Sequence, residues 1–314
     1  MLDVIILTLF IALTTGCPPP EDIHPCTCSW PATEDAYITC SNLDNELDLV
    51  QAASSLTRRS YVYSFVIQNS IFNYIPSDAF KGLKFVELEI KDTSLMALTD
   101  TDLAFEGLEN HLQFLLINNC TIMNGWDWSI FRNLKKLVRL DVIYANLDSI
   151  EDLGQIDISK IMDINFSNNL ISFIHPFAFS SFKKLTHLYL KDNAIREMKR
   201  TMLPKPALEL LNLDFSGNEI EQFPTDMFVE MPQLESLSVA NNKLLVLDEK
   251  VFAPVWETLQ AFSAMNNDLR CDCRLAWILE KINPRTTRAI CAQPPDLKGK
   301  FITELSSKDL WCYK

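Results

Sequence analysis

The chain has 314 residues, 48% of them hydrophobic, and a formal net charge of -13 from 41 Asp and Glu against 28 Lys and Arg. Such an acidic surface repels nucleic-acid phosphates, which excludes DNA- and RNA-binding classes, while it favours solubility and, weakly, a basic partner. Only 7 glycines are present, too few for phosphate-cradling loops or a glycine-rich β architecture to be expected.

The first element is the apolar run VIILTLFIA from Val4 to Ala12. It is too short to span a bilayer but has the length of a signal-peptide core, with Thr14 and Gly16 as small residues before a cut between Gly16 and Cys17. Asp3, and no Lys or Arg, precedes it, which departs from the usual basic start. Residues 1–16 are therefore expected to be a signal peptide, and the mature chain to be secreted and extracellular. The chain ends at Lys314, two residues after Cys312, and no membrane anchor or lipid-attachment tail is expected.

Next comes a cysteine quartet, Cys17, Cys26, Cys28 and Cys40, matched near the other end by Cys271, Cys273, Cys291 and Cys312. Two even sets around a cysteine-poor middle predict two disulfide-stapled modules in an oxidising compartment. Within each set the C-x-C neighbours are not expected to bond each other, which leaves two pairings open per end. A zinc site is disfavoured because the usual C-x-x-C knuckle is missing.

Between the quartets the chain is periodic on the pattern L-x-x-L-x-L-x-x-N-x-L, most clearly in LTHLYLKDNAIREM (Leu185 to Met198) and LLNLDFSGNEIEQF (Leu210 to Phe223). The Asn slot is filled in turn by Ser70, Thr93, Cys120, Ala145, Asn169, Asn193, Asn218, Asn242 and Asn267, at steps of 23, 27, 25, 24, 24, 25, 24 and 25. Each L-x-L core predicts a short strand with alternate residues inward, and the other half of each repeat returns along the outside. One coil cannot enclose its own leucines, so neighbours must stack and the open ends need caps. Asn carries donors and an acceptor, which suits it to bridge successive turns. Ser70, Thr93 and Cys120 still donate a proton, but Ala145 does not, so a weaker and looser ladder is expected in the first half. Cys120 is read as an unpaired buried thiol filling that slot. Phe80, Phe131, Phe179, Phe228 and Phe252 recur near one outer position and predict an aromatic spine behind the sheet.

With these motifs in place, the chain resembles the extracellular leucine-rich-repeat family over its whole mature length. CPPPEDIHPCTCS through ITC (Cys17 to Cys40) looks like the family's N-terminal cysteine cap, and NNDLRCDCRLAWIL with Cys291 and LWC at Cys312 looks like its C-terminal cap. The resemblance implies first-with-third and second-with-fourth pairing: Cys17–Cys28, Cys26–Cys40, Cys271–Cys291 and Cys273–Cys312. It also implies an α/β solenoid, a horseshoe with short parallel strands on the concave face, an irregular or 3-10 convex side and a disulfide cap at each end. The expected division is signal peptide 1–16, N-terminal cap 17–60, nine repeats 61–270 and C-terminal cap 271–314. More narrowly, the C-P-x-P-E-D-I-x-P-C-T-C opening is similar to that of an arthropod group of luciferase non-catalytic subunits, which accompany a separate catalytic chain.

No catalytic constellation is legible. His24, His111, His175 and His187 belong to no nucleophile elbow, zinc helix or phosphate loop, and no cofactor or metal is expected. Binding is expected on the concave face, whose side chains are the unpatterned strand positions. Phe114, Leu116 and Ile143 form a candidate apolar patch there. Beside it, Arg139, Asp141, Asp163, His187, Tyr189 and Asp214 form a charged and aromatic surface suited to anchoring a protein. Two sequons, Asn119-Cys120-Thr121 and Asn165-Phe166-Ser167, are candidate glycosylation sites, and a glycan on Asn165, inside the concavity, is expected to restrict partners to one side of it. The reading is a secreted, non-catalytic binding protein or accessory subunit with a protein partner. A self-associating matrix or structural protein, meeting itself as a homodimer, is the alternative.

Overall fold

The computed structural model describes residues 17–30, 36–56, 62–156, 158–281 and 284–312. The expected signal peptide lies outside the described residues.

The strands of the solenoid follow chain order: β1 Cys26–Ser29, β2 Ala36–Ser41, β3 Val62–Gln68, β4 Glu87–Lys91, β5 Phe114–Asn118, β6 Arg139–Ile143, β7 Asp163–Asn165, β8 His187–Tyr189, β9 Asn212–Asp214, β10 Ser236–Ser238, β11 Ala261–Ser263 and β12 Thr286–Arg288. They form one sheet in that same order. Only β1 and β2 are antiparallel; every later pair is parallel, because each coil returns by the outer path and re-enters in the same direction. One register position of successive strands, Leu88, Leu115, Leu140, Ile164, Leu188, Leu213, Leu237 and Phe262, is buried throughout. These residues stack into one continuous column, each contributing about 1.5–3 kcal/mol by its burial.

At the turn after each strand the chain enters the left-handed region one residue before the bridging slot. Asn69, Asp92, Asn119, Tyr144, Asn168, Asp192, Gly217, Asn241 and Asn266 all have positive φ. Asn, Asp and Gly tolerate that conformation because their side chains bond locally or are absent. Tyr144, at φ 52°, is the exception.

Asn193, Asn218, Asn242 and Asn267 bridge coils by one repeated geometry, to which Asn169 adds a second accepted N–H. Asn218 Nδ2 donates to Leu190 O of the preceding coil at 2.9 Å and to Phe215 O of its own at 3.0 Å, while its Oδ1 accepts from Ile195 N at 3.0 Å. Asn242 and Asn267 repeat this one and two coils on. In the first half the side-chain ladder is thinner, as expected. Thr93 Oγ1 reaches only Lys91 O of its own coil, and Cys120 Sγ contacts Ile90 O at 3.4 Å. The looseness expected with it is absent. Strands β3 to β6 have five to seven residues where β7 to β12 have three. A second small sheet joins Ile71–Phe72, Ser94–Leu95 and Thr121–Ile122. Main-chain bonds such as Ser94 N to Ser70 O, 2.9 Å, and Thr121 N to Thr93 O, 3.1 Å, join the coils where the side chains cannot.

The aromatic spine is present but interrupted. Phe80, Phe105 and Phe131 follow one another at 6.1 and 6.4 Å, and Phe228 meets Phe252 at 5.6 Å. Between them Trp128 and Phe166 carry the contact to Phe179, and the buried aliphatics Ile156 and Leu203 hold the same slot in two coils. The return side carries short 3-10 turns at Trp128–Phe131, Leu153–Gln155 and Arg200–Met202. Arg200 is buried there with no carboxylate among the described residues bonded to it; its Nε donates to Val229 O at 2.9 Å and its Nη1 to Pro204 O at 2.7 Å.

Both ends are closed. Cys17 pairs with Cys28 and Cys26 with Cys40, and the helix Glu46–Leu56 covers the first coil with Leu49, Ala52, Ala53 and Leu56. At the other end Cys271 pairs with Cys291 and Cys273 with Cys312. Buried Trp277 stacks edge-on to Trp256 and donates to Leu247 O at 2.9 Å, tying this cap to the last coils. Asp272 lies close to Cys273 and Cys312, but both sulfurs are spent in their bond to each other and Asp272 is held by Arg274 and Arg270.

Candidate partner-binding surface

Parallel stacking sets which unpatterned residues meet. In the register of β6, β7 and β8, Asp163 lies between Arg139 and His187, and Asn165 lies between Asp141 and Tyr189. These six residues line one depression of about 300 Å³ on the exposed face of the long sheet. They come as three pairs, each pair a full coil from the next in sequence, so only the stack assembles them.

The depression is organised by two acid–base pairs. Arg139 grips Asp141 two residues along the same strand, Nε to Oδ1 at 3.0 Å and Nη2 to Oδ2 at 2.7 Å. Asp141 is 5% exposed, whereas the Arg139 side chain is about half exposed. Hydrogen bonding to Asp141 holds the guanidinium proton above its usual strength, with further support from Asp163, so Arg139 is a fixed positive charge. The second pair spans two rungs: His187 Nδ1 lies 2.5 Å from Asp163 Oδ1, with Thr186 Oγ1 at 2.9 Å from the same nitrogen. Tyr189 lies 6.1 Å from the His187 ring and nearly parallel to it. A half-buried aromatic platform therefore sits between oriented charges, which is the composition of an interface anchor.

Of the remaining expected residues, Asp214 is drawn into its own turn, where Oδ1 accepts from Ser216 N at 2.9 Å and Ser216 Oγ at 2.5 Å. It does not line the depression. Phe114 and Leu116 on β5 and Ile143 on β6 are neighbours in the sheet but half-buried rather than openly exposed. Asn165, one of the two sequons, lines the depression itself, its Oδ1 accepting from Ser167 N at 3.1 Å. Asn119 is exposed at its left-handed turn and donates to Asp92 Oδ1 at 2.6 Å. Cys120 is buried and, among the described residues, the one free cysteine; burial pushes its thiol up to about 11. That suppresses the thiolate and with it nucleophilic chemistry.

One cavity escaped the sequence reading. Trp126, Asp127, Trp128, Ser129, Glu151, Asp152, Ile156 and His175 line a cleft of about 390 Å³ on the return half of three coils. The signal was available: Trp126, Glu151 and His175 each stand six residues past the bridging slot of consecutive coils.

The leucine rich repeat family profile matches residues 135–195 and 159–216. The chain is 23% identical over 322 residues to the oplophorus-luciferin 2-monooxygenase non-catalytic subunit of Oplophorus gracilirostris, covering 92% of this chain and 86% of that protein. It is 28% identical over 169 residues to lumican of Bos taurus, covering 54% of this chain and 46% of lumican. Among solved structures it is similar, at a TM-score of 0.65 and 19% identity, to a chain of the octameric complex of Latrophilin 3, Unc5D and FLRT2, with 93% of this chain and 92% of that one covered. The matched repeats, the parallel stacked sheet and the disulfides near both ends agree: residues 135–216 carry leucine rich repeats, and the chain folds as a leucine-rich-repeat solenoid.

Proposed function

We propose that this chain is a secreted, non-catalytic binding protein or accessory subunit that recognises a protein partner on its concave face. The observation that carries the reading is the depression in which Arg139, Asp163, His187 and Tyr189 from three rungs converge. A fixed cation, a carboxylate and an aromatic plane at one place suit a protein surface better than a turnover site, and the hydroxyl beside His187, that of Thr186, is buried and donates to Met162 O at 2.9 Å. The resemblance to a non-catalytic subunit over most of both chains supports an accessory role, and disulfide caps support an oxidising, extracellular setting. Among the described residues no helix is long and apolar enough to cross a membrane.

Asn165 lines the same depression, so a glycan on it and a partner in it exclude each other. In place of the glycan expected at Asn165, the binding-competent protein therefore carries a bare Asn165, and Asn119 is the sequon compatible with binding. The test is affinity capture from the secretions of the source with the mature chain and with an Arg139→Glu/Tyr189→Ala variant whose retained fold is established by circular dichroism, since the change leaves Asp141 unpaired. A stoichiometric protein retained by the first and lost by the second is expected. Retention by both removes the concave-face assignment, and concentration-dependent dimerisation without any retained protein favours self-association instead.

A further inference from the structure

The cleft on the return half lies apart from the concave depression and shares no residue with it. Its floor is built from the core outward. Trp128 is buried against Phe131 and Phe166, and Trp126 stacks on Trp128 with ring centroids 5.5 Å apart and planes 21° apart. The Trp126 indole N–H points to Ala145 O at 3.4 Å, which fixes the ring across two coils. Trp126 is half-buried, so part of its π surface remains open to a ligand.

The rim is acidic and partly locked. Asp127 Oδ1 accepts from Ser129 N and Asp152 Oδ1 from Gly154 N, both at 2.9 Å, each starting a 3-10 turn. Each carboxylate thus has a set position and one oxygen left for a ligand. Glu151 is exposed beside them. His175 Nδ1 accepts from Phe177 N at 3.3 Å, which leaves its Nε2 to carry the proton. The lining contains three carboxylates and no Lys or Arg. A sugar would require a balanced set of donors and acceptors, whereas this lining is rich in acceptors and offers few donors. An indole face flanked by carboxylates instead matches a planar cation, by cation–π attraction and forked charge-assisted hydrogen bonds.

We propose that the cleft formed by Trp126, Asp127, Glu151, Asp152 and His175 binds an arginine side chain presented by a basic segment of a protein partner. The cleft is large enough for a guanidinium with its alkyl stem, and the strongly acidic chain attracts such a segment from a distance. This gives the molecule a second recognition surface on the side opposite in role to the sheet face.

The test is titration of the full mature chain with an end-blocked tetra-arginine peptide, read by calorimetry and by tryptophan emission. Saturable binding with an emission change is expected. Glu151→Gln/Asp152→Asn weakens it by at least about tenfold, and Trp126→Leu weakens it similarly and abolishes the emission change. The distant exposed pair Glu209→Gln/Glu221→Gln leaves it within about twofold, since it removes equal charge outside the cleft. An end-blocked tetra-lysine peptide binds more weakly, because an ammonium neither stacks nor forks. The proposal is overturned if the two double variants weaken binding equally, which would mean bulk charge alone. It is equally overturned if the arginine peptide does not bind, or if N-acetylchitotriose occupies the cleft in its place. Circular dichroism and the melting midpoint of each variant establish that the fold persists, and the conservative Gln and Asn changes keep the test valid should Trp126→Leu not fold.

Discussion

Asn169 Oδ1 accepts from the backbone N–H of Ala145 at 2.8 Å and from that of Leu147 at 3.2 Å, so the coil whose own slot offers no polar side chain is bridged by its successor. Asn169 Nδ2 completes the bridge by donating to Val142 O at 2.7 Å. By contrast Asn193 accepts from a single N–H of the preceding coil, that of Ile171, at 3.0 Å.

That asymmetry makes Asn169→Ala the costliest change in the ladder. It strands two N–H groups and a carbonyl between coils, and each buried group left unsatisfied costs about 1–3 kcal/mol. Asn193→Ala strands one fewer. Urea denaturation is expected to rank Asn169→Ala below Asn193→Ala in stability, and equal midpoints would show that the double acceptance carries no weight.

Arg139 and Asp141 are unequal partners, because the carboxylate is buried and the guanidinium half exposed. Arg139→Ala leaves a buried carboxylate unpaired and is expected to cost about 1–3 kcal/mol after allowing for water at the exposed side. Asp141→Ala frees an arginine that water solvates, at a cost under about 1 kcal/mol. The double variant recovers most of the loss of the first. A double-mutant cycle in urea measures all three, and an Asp141→Ala loss as large as that of Arg139→Ala would contradict the account.

For Cys120 the sign follows from its acid chemistry. The unfolded thiol ionises near 9.0 and the folded one near 11, because burial disfavours the charged form. Above 9.0 the unfolded chain has released a proton that the folded chain still holds, so stability present below 9.0 is lost as pH rises towards 11. The stability advantage over Cys120→Ala is expected to shrink by about 1.4 kcal/mol per pH unit in that window. The same burial leaves the thiol unlabelled by iodoacetamide at neutral pH until the chain is unfolded; rapid labelling of the native protein would place it at the surface.

Peptide mapping of the secreted protein is expected to find Asn165 unmodified. An Asn165→Gln variant then keeps the partner affinity within about threefold, since Gln preserves the amide. Full occupancy at Asn165 would move recognition away from the depression that it lines.

The repeat period and the inward leucines were legible because each is dictated locally, whereas the cysteine spacing left two pairings open at each end and only the family resemblance chose between them. A coil must bury its own L-x-L residues, and a fixed period forces neighbours to do the same. A further local signal was also there to read: Asn, Asp or Gly stands just before the bridging slot in eight of nine coils, where the backbone turns left-handed, and Tyr144 alone breaks the pattern. The tightness of the first half was not legible, because it rests on main-chain bonds between Ser70, Ser94, Thr93 and Thr121 that no side-chain pattern encodes.

The site divides in the same way. The sequence by itself determined that unpatterned strand residues such as Arg139, Asp163 and Tyr189 face outward from a stacked sheet, since alternation along a strand is a local rule. Only the tertiary structure decided that Asp163 meets His187, that Asp214 turns away to Ser216, and that Trp126, Glu151 and His175 share a cleft. Contacts across coils depend on the register of residues some 24 positions apart, and that register is set when the coils stack, not by the order of residues within any one of them.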